Sequence, residues 1–296
     1  MTDMLSLALA FAIGMSPAQA KDSLRTAILA RIAPLDSVTV AVSYLDLETG
    51  ESLAINADTS FHAASTMKVP VMIEVLRRSQ AGAFSLDQEV LLINEFPSLA
   101  DGSPFSLIAS EDSDTALYSR VGQRVPVREL MRRMITLSSN LATNQLIALV
   151  GPAAVTSGAR QIGASSIQVL RGVQDIKSFD RGMNNTTTSA DLAVLLAAIE
   201  RGKVLSAASS AEMREILLAQ EFNSKIPAGL QPGTRVAHKT GEITAVSHDA
   251  AIVYPPGRKP YVLVVLTKGL RDGNASASLI ADISRLTWNH VMRVRP

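Results

Sequence analysis

Three short segments combine side chains that together could form and break a covalent acyl bond. A serine hydroxyl is a weak nucleophile until a base takes its proton, and a lysine can be that base when burial lowers its pKa. A second hydroxyl, a carboxamide and another cation would serve a leaving group and an anionic ligand. The segments that hold these groups are STMK at 65–68, SSN at 138–140 and KTG at 239–241.

Ser65 and Lys68 are three residues apart, so both lie on one face of a helix. Pro70 is tolerated only in the first turn of a helix, which predicts that this helix begins near Ser65. The hydroxyl would then lie at the positive end of the helix dipole, where a developing oxyanion is stabilised. The alternative is an ordinary exposed lysine, because roughly one such spacing is expected by chance in a chain of this length.

Ser138 and Asn140 fall at the predicted junction of two helices. The hydroxyl could pass a proton to a leaving nitrogen, and the carboxamide could hold an amide carbonyl. The alternative is a plain helix N-cap, a position that favours serine and asparagine.

Lys239, Thr240 and Gly241 fall in a predicted strand. Lysine is unusual in a buried strand, and glycine allows another backbone or a ligand to approach closely. A cation, a hydroxyl and bare backbone suit a substrate carboxylate. The alternative is an edge-strand lysine that discourages aggregation.

Hydrophobic periodicity predicts the elements that must position these segments. They are a helix at 24–32, strands at 38–46 and 52–57, a mainly helical region from 64, strands at 235–239, 246–254 and 261–268, and a helix at 278–292. Neither strand group is large enough to stand alone. We therefore predict an α+β fold in which both ends of the chain build one five-stranded antiparallel sheet, flanked by the terminal helices. Residues 21–61 and 205–296 would form this α/β domain, and residues 62–204 an all-α domain inserted between strands.

Composition narrows the classes of function. The chain has 296 residues, 47% of them hydrophobic, a net charge of +1 and no cysteine. Nothing basic enough for nucleic-acid binding is present, and disulfide and thiolate chemistry are excluded. His62, His238 and His290 lack the spacing of metal ligands, so we expect structural roles for them, no metal and no cofactor.

The first twenty residues resemble a secretory signal. An apolar run at 5–15 is followed by Pro17-Ala18-Gln19-Ala20, a small-residue cleavage pattern. We expect cleavage after Ala20 and a periplasmic or secreted protein; the alternative is an apolar helix that stays on the mature chain. No later apolar stretch is free of charge over the length of a membrane span. The oligomeric state is left open.

The three segments together resemble those of class A β-lactamases and penicillin-binding proteins. The resemblance runs from about residue 22 to the end. Its flanks are MITLSSNLATNQLIALVG at 134–151, HKTGE at 238–242 and NNTTTSADLA at 184–193, where that family leaves its Ω loop. It implies an α/β domain and an all-α domain with the active site in the cleft between them, and a β-lactam or D-alanyl peptide as the small-molecule substrate.

The resemblance also implies roles for single residues. Ser65 resembles the acylated nucleophile and Lys68 its activating partner. Ser138 resembles the proton shuttle to the β-lactam or peptide nitrogen. Asn140 resembles the residue that binds the acyl side-chain amide.

On the substrate's carboxylate side, Lys239 and Thr240 resemble the binding residues. The backbone N–H groups of Ser65 and Glu242 would form the oxyanion hole. His248 falls near the place of an arginine that contacts this carboxylate, and a histidine there would be a pH-dependent clamp. The alternative is a surface-strand histidine bonded to Asp249.

The Ω loop departs from the family pattern. A class A β-lactamase carries a glutamate there that aims the deacylating water, but no glutamate occurs between residues 129 and 200. Gly172 or Val173 falls at its position. Asp175 is a possible substitute; the alternative is a salt bridge, for instance to Arg171. Ser139 stands where the family usually has a bracing aspartate.

These features predict a secreted serine hydrolase that forms an acyl-enzyme with β-lactams or acyl-D-Ala-D-Ala amides. Losing a positioned base costs about 10²–10⁴-fold in the step it serves, so β-lactam release should be slow, as in a penicillin-binding protein. A glutamate at 172 or 173 should then speed release. Two alternatives stay open: a β-lactamase that activates water through Asp175 or Lys68, and a sensor or scaffold that binds β-lactam without turnover.

Overall fold

The computed structural model describes residues 17–293. Its strands are β1 Thr39–Asp46, β2 Ser52–Ile55, β3 Phe61–His62, β4 Glu89–Leu91, β5 Phe96–Pro97, β6 Pro104–Phe105, β7 Arg124–Pro126, β8 Thr186–Thr187, β9 Arg235–Ile243, β10 Val246–Tyr254 and β11 Tyr261–Lys268. Its α-helices are α1 Pro17–Ile32, α2 Lys68–Gln80, α3 Val127–Thr136, α4 Asn140–Val150, α5 Pro152–Ile162, α6 Ile176–Asp180, α7 Ser189–Glu200, α8 Ala207–Leu218 and α9 Gly273–Arg293. Short 3₁₀ helices include Ala64–Met67 and Ala109–Glu111.

A five-stranded sheet is built from both ends of the chain, in the order β2-β1-β11-β10-β9. Neighbouring strands pair antiparallel throughout. The predicted α+β fold and its five-stranded antiparallel sheet are thus confirmed. The first strand after the helical region was predicted at 235–239, but β9 continues to Ile243, because Thr240, Gly241 and Glu242 pair in register with β10.

The sheet is covered on both faces, and successive strand residues alternate between two apolar cores. Ala250 and Ile252 belong to the larger core, which includes the apolar side chains of the helical region. Ala251 and Val253 belong to the second core, with apolar residues of α1 and α9. Burial on both faces explains why most residues of β10 and β11 are apolar.

The helical region presents two helix starts to the edge of the sheet. Helix α2 is preceded by the 3₁₀ turn at Ala64–Met67, and Pro70 lies in its first turn, as predicted. Helix α4 follows α3 after a three-residue junction and begins at the predicted Asn140. These two starts and strand β9 carry the three chemically active segments. The division of the chain into domains at residues 61/62 and 204/205 stays a prediction.

At the N-terminus, most of the expected signal segment lies outside the described residues. Helix α1 begins at Pro17, so the expected cleavage point after Ala20 falls in its first turn. Cleavage stays a prediction. Within residues 17–293, none of the helices has the length and hydropathy needed to cross a membrane.

Candidate active site

A cleft of about 750 Å³ opens between the start of α2, the α3–α4 junction and the outer edge of β9. This is a usual size for a small-molecule site. Seven of the residues predicted for the site line it: Ser65, Ser138, Asn140, Asp175, Thr240, Gly241 and Glu242. Lys68 and Lys239 are fully buried and are not among the lining residues.

Ser65 lies half-buried on the 3₁₀ turn that leads into α2. The preceding Ala64 has a φ of 45°, a left-handed conformation that costs non-glycine residues roughly 1–3 kcal/mol and is concentrated at functional sites. The turn places the serine at the amino end of two consecutive helical segments, where backbone N–H groups lack partners within the helix.

Lys68 is held by three polar groups of the α3–α4 junction. Its Nζ lies 2.7 Å from the Ser138 carbonyl oxygen, 2.9 Å from Asn140 Oδ1 and 3.2 Å from Ser138 Oγ. Burial lowers the pKa of Lys68 to about 7, although the nearby Asp112 carboxylate acts to raise it. A substantial fraction of this amine is therefore neutral near neutral pH and able to accept a proton.

The Ser138 hydroxyl lies between two buried lysines. Lys239 Nζ donates to it at 3.1 Å, and Lys68 Nζ lies 3.2 Å from it. Ser138 has a φ of 56°, so this junction is also backbone-strained. When Lys68 is neutral, Lys239 can donate to the hydroxyl while the hydroxyl donates to Lys68, which forms a short path for a proton.

Lys239 occupies β9 and faces the same junction. Its Nζ also donates to the Thr240 carbonyl at 3.0 Å. Burial, and then repulsion from Lys68, lowers the pKa of Lys239 well below its ordinary value. Two cations this close to one hydroxyl are unfavourable together, so the pair favours a state in which one amine is neutral.

Gly241 packs directly against the nucleophile's backbone. A Cβ at this position would lie 3.0 Å from the backbone nitrogens of both Ser65 and Thr66. Only glycine therefore lets β9 approach this turn without displacing it. The close approach places the predicted oxyanion donors, Ser65 and Glu242, on adjoining segments.

Asp112 braces the start of α4, a role the sequence did not reveal. Its carboxylate accepts from the backbone nitrogens of Asn140 and Leu141, at 2.9 and 3.0 Å, and from the Tyr118 hydroxyl at 2.9 Å. Ser139, which replaces the family's aspartate, caps the same helix through its hydroxyl. The bracing carboxylate thus comes from a residue 28 positions before Asn140.

His248 requires a correction, because it does not reach the cleft. Its ring is fully buried in β10, with Nε2 2.9 Å from the His62 carbonyl, and with Nδ1 2.8 Å from the Ser247 carbonyl and 3.3 Å from the Thr267 nitrogen. Burial lowers its pKa to about 4. A neutral ring with both nitrogens engaged cannot clamp a carboxylate, and Asp249 bonds to His238 instead.

Lys225 provides a further positive charge at the end of the cleft next to β9. It lines the cleft although it is largely buried. Its Nζ contacts Glu242 Oε2 at 3.2 Å and the carbonyls of His248 and Gly241 at 3.4 and 3.5 Å. No motif marks Lys225 in the sequence; only folding brings it beside β9.

Asp175 also requires a correction as a candidate base. It caps the short helix α6, and each of its carboxylate oxygens accepts two hydrogen bonds. The donors are the Ser98 hydroxyl, the backbone nitrogens of Leu99 and Ser178, and the Ser178 hydroxyl. These bonds outweigh burial and lower its pKa, which makes the carboxylate a poor proton acceptor.

The alternative role for Asp175, a salt bridge for instance to Arg171, is not seen as an Asp175–Arg171 pair. The Arg171 guanidinium instead donates to the Met183 and Gly172 carbonyls and to Asn184 Oδ1. The Arg171 side chain therefore stabilises the Ω loop mainly through hydrogen bonds to backbone carbonyls of that loop.

The remaining histidines have protein partners. His62 lines the cleft and accepts at Nδ1 from Ala64 N–H, and burial lowers its pKa to about 4. His238 bonds Asp249, and His290 lies 3.0 Å from Glu51. Within residues 17–293, no cluster of three or more His, Cys, Asp or Glu residues suits a metal ion.

This fold, with a serine and two buried lysines at one cleft, defines a class of serine hydrolases. The chain belongs to the beta-lactamase enzyme family, whose model matches residues 23–291. A relative, beta-lactamase AST-1 of Nocardia asteroides, is 32% identical over 275 residues, which are 90% of this chain and 84% of that protein.

Solved structures show the same fold. The structure of PBP-A superposes with a TM-score of 0.79 at 26% identity, covering 92% of this chain and 97% of that one. A glutamate-substituted mutant of PBP-A, determined as an acyl-enzyme complex with penicillin G, gives a TM-score of 0.78 at 26% identity over the same shares of the two chains. The resemblance predicted from the three segments is thereby confirmed.

Proposed function

We propose that this serine hydrolase forms an acyl-enzyme at Ser65 with β-lactams or acyl-D-Ala-D-Ala amides and releases β-lactam products slowly. The observation that carries the proposal is the Ser138 hydroxyl, held within 3.2 Å of both Lys68 and Lys239 in the cleft that Ser65 lines. The meeting of residues from three distant parts of the chain at one cleft supports a role for them in acyl transfer.

Acylation follows from the residues in the cleft. Neutral Lys68 takes the proton of Ser65 as its Oγ attacks the carbonyl carbon, and the backbone N–H groups of Ser65 and Glu242 stabilise the oxyanion. As the C–N bond breaks, Ser138 gives its proton to the leaving nitrogen and is reprotonated from a lysine. Because Asn140 Oδ1 accepts from Lys68, its Nδ2 is the group that would donate to the substrate's acyl amide.

The substrate carboxylate belongs at the cationic end of the cleft. Lys239 and Thr240 stand there on β9, and Lys225 adds the charge that His248 does not provide. This end faces the amine portion of the substrate, which carries the carboxylate in a β-lactam.

Slow release of the β-lactam product follows from the lack of a positioned proton acceptor on the Ω-loop side of the cleft. Val173, one of the two residues that fall at the position of the family's glutamate, is half-buried in the cleft wall and, like Gly172, cannot accept a proton. Asp175, the carboxylate on this segment of the chain, is engaged in capping α6. The acyl-enzyme of a PBP-A mutant with penicillin G supports the idea that this fold can hold such an adduct.

A second candidate function is a β-lactamase that activates the deacylating water through Lys68. The pKa of about 7 favours it, since a neutral amine can take a proton from water as well as from serine. This candidate predicts rapid release that rises with pH through the Lys68 pKa.

The test follows a fluorescent penicillin on the purified protein by gel and intact mass over time, beside turnover of an acyl-D-Ala-D-Ala thioester. Persistent label with thioester turnover supports the proposal, and rapid loss of label supports the β-lactamase. Persistent label without turnover supports a binding-only sensor or scaffold. Absence of label, or label that survives Ser65→Ala, contradicts every reading that uses Ser65 as nucleophile.

We also propose that the chain is exported to the periplasm or secreted, on the strength of the apolar run and small-residue pattern before residue 21. Intact mass of the protein recovered from the periplasm or medium should correspond to a chain that begins at Lys21. A full-length chain retained in the cytoplasm would contradict export.

A further inference from the structure

A second cavity, of about 480 Å³, is separate from the cleft that Ser65 lines and shares no lining residue with it. It is lined by helices α2, α5 and α7, by the end of β1 and by the segment that joins α7 to α8. We call it the α2–α7 cavity. Its volume falls within the range of small-molecule sites.

Most of the wall of the α2–α7 cavity is apolar and continuous with the larger core. The apolar side chains that belong to that core or pack against it include Leu45, Ile73, Ile162, Ala197, Val204 and Leu205. An aliphatic chain placed against this wall would leave water, which is favourable in proportion to the apolar area buried.

The charged side chains that line this cavity are all cations. They are Arg77, in the last turn of α2, and Arg201 and Lys203, at and just beyond the end of α7. Within residues 17–293, no aspartate or glutamate lines the cavity, and no salt bridge engages Arg201 or Lys203. Positive charge beside an apolar wall favours a ligand that is both anionic and apolar.

The carboxylate next to the cavity on α2 is already engaged. Glu74 is buried and accepts from Nε and Nη2 of Arg77, both at 2.6 Å, and from Nε of Arg78 at 3.0 Å. One carboxylate between two guanidinium groups leaves the trio with a net positive charge. Glu74 therefore does not make this side of the cavity acidic.

The carboxylate at the end of α7 is engaged in the same way. Glu200 accepts from the Tyr254 hydroxyl at 2.7 Å, and Arg214 Nε lies 3.7 Å from the same oxygen. Arg201 and Lys203 are exposed, and Glu200 pairs with neither of them. These two cations are therefore available to an anion at the mouth of the cavity.

We propose that the α2–α7 cavity binds a free single-chain aliphatic carboxylate, with its chain against the apolar wall and its carboxylate at Arg201 and Lys203. This site goes beyond the proposed function and does not depend on Ser65. Ion pairs with exposed cations are individually weak, so the chain supplies most of the affinity and the cations select a negative head group.

The test is calorimetry on the full chain with octanoate, which is anionic, and 1-octanol, which has the same chain length and no charge. One octanoate should bind per protein, about tenfold more tightly than 1-octanol. The double variant Arg201→Glu/Lys203→Glu should bind octanoate about tenfold more weakly and 1-octanol unchanged. Arg160→Glu is the matched control, because Arg160 is exposed on α5 and lies outside the cavity; it should change neither affinity.

Two further variants separate this site from the active-site cleft. Ala198 lines the cavity, so Ala198→Phe should fill it and weaken both ligands; the charge variants decide the question if this variant does not fold. Lys225→Met, which removes a cation from the active-site cleft, should bind octanoate normally.

Several results would overturn the proposal. They are no octanoate binding by the unmodified protein, equal affinity for octanoate and 1-octanol, full binding by a folded Ala198→Phe variant, or a loss in Lys225→Met or Arg160→Glu as large as in the double variant. Binding to phosphatidylglycerol vesicles without binding to octanoate would assign these cations to a membrane surface, which also contradicts a site for a free carboxylate.

Discussion

The Asn144 side chain holds both backbone polar groups of Val173. Its Oδ1 accepts from the Val173 nitrogen at 2.6 Å, and its Nδ2 donates to the Val173 carbonyl at 3.0 Å. A residue of the buried face of α4 thus fixes the Ω loop at one of the two positions, 172 and 173, where the resemblance predicts the family's glutamate. The neighbouring Gly172 lies so close that a Cβ there would fall 2.3 Å from Asn144 Oδ1.

This arrangement distinguishes the two positions at which a glutamate was expected to restore release. Val173→Glu keeps the backbone bonds to Asn144 and directs a carboxylate into the cleft. Deacylation of a penicillin adduct should accelerate on the order of 10²-fold, the low end of what a positioned base supplies. Loss of the adduct followed by intact mass measures the rate.

Gly172→Glu is the informative comparison for that variant. Its Cβ would collide with Asn144, so it should disturb the loop, lower the melting temperature and fail to speed release. If Val173→Glu releases the adduct no faster than the unmodified protein, the missing glutamate is not what limits deacylation.

The ionisation of Lys68 should govern acylation. Below its pKa of about 7 the amine is protonated and cannot accept the serine proton, so the acylation rate should fall about tenfold per pH unit. Above that pKa the rate should level off. Stopped-flow acylation across pH 5 to 9 measures this, and Lys68→Arg should remove the inflection because a guanidinium stays charged. A flat profile in the unmodified protein would be inconsistent with a lysine base.

Asp112 should set the position of that inflection. Its carboxylate raises the pKa of Lys68 against the effect of burial, so Asp112→Asn should move the acid limb of the acylation profile to lower pH. Asp114→Asn is the matched control: Asp114 is also buried, but it pairs with Arg133. An unshifted profile in Asp112→Asn, or an equal shift in both variants, would contradict electrostatic control by Asp112.

Asp175 should behave as a structural cap with pH-dependent stabilisation. Asp175→Asn should lower the free energy of unfolding by about 1–3 kcal/mol at pH 7, since charged acceptors are lost from buried donors. Because the native pKa is lowered, this contribution is present above the ordinary value near 4 and is lost as the pH falls through the native pKa. Urea unfolding should show a smaller difference in unfolding free energy between the unmodified protein and Asp175→Asn at pH 3 than at pH 7. An equal difference at the two pH values would argue against the capping role of the Asp175 carboxylate.

Lys225 should contribute to recognition of the substrate carboxylate. Lys225→Met should lower the efficiency of acylation by a penicillin about 10- to 100-fold, because the penicillin binds more weakly. Lys225→Arg should retain most of that efficiency. The methyl ester of the same penicillin provides the control, because it has no carboxylate to lose. Equal losses with acid and ester would show that the substitution disturbs the cleft generally.

The architecture and the central residues could be predicted from the sequence because their signals are local. Strands β10 and β11 have the predicted bounds 246–254 and 261–268, since segments rich in apolar residues end there at clear turns. The helix start near Ser65 follows from Pro70. The prediction that Ser65, Ser138 and Lys239 lie close together came from the resemblance. These residues are separated by 73 and 101 positions, so no local sequence pattern indicates that they meet.

What the sequence did not reveal depends on contacts across long separations. Asp112 braces a helix that begins 28 residues later, and Lys225 reaches β9 across a loop. His248 was misassigned because β10 is buried on both faces, so alternation along that strand does not distinguish a cleft-facing side chain from a core one. Asp175 was a candidate base by type and position, and only its four donors show it to be a cap.

The most direct test of a long-lived acyl-enzyme is mass spectrometry of the protein treated with benzylpenicillin, quenched after seconds and after an hour and then digested. We predict one adduct with the mass of the intact penicillin on the peptide that contains Ser65, still present at the later time and absent in Ser65→Ala. An adduct on another peptide, or one already gone at the later time with penicillin consumed in excess of the protein, would contradict the mechanism.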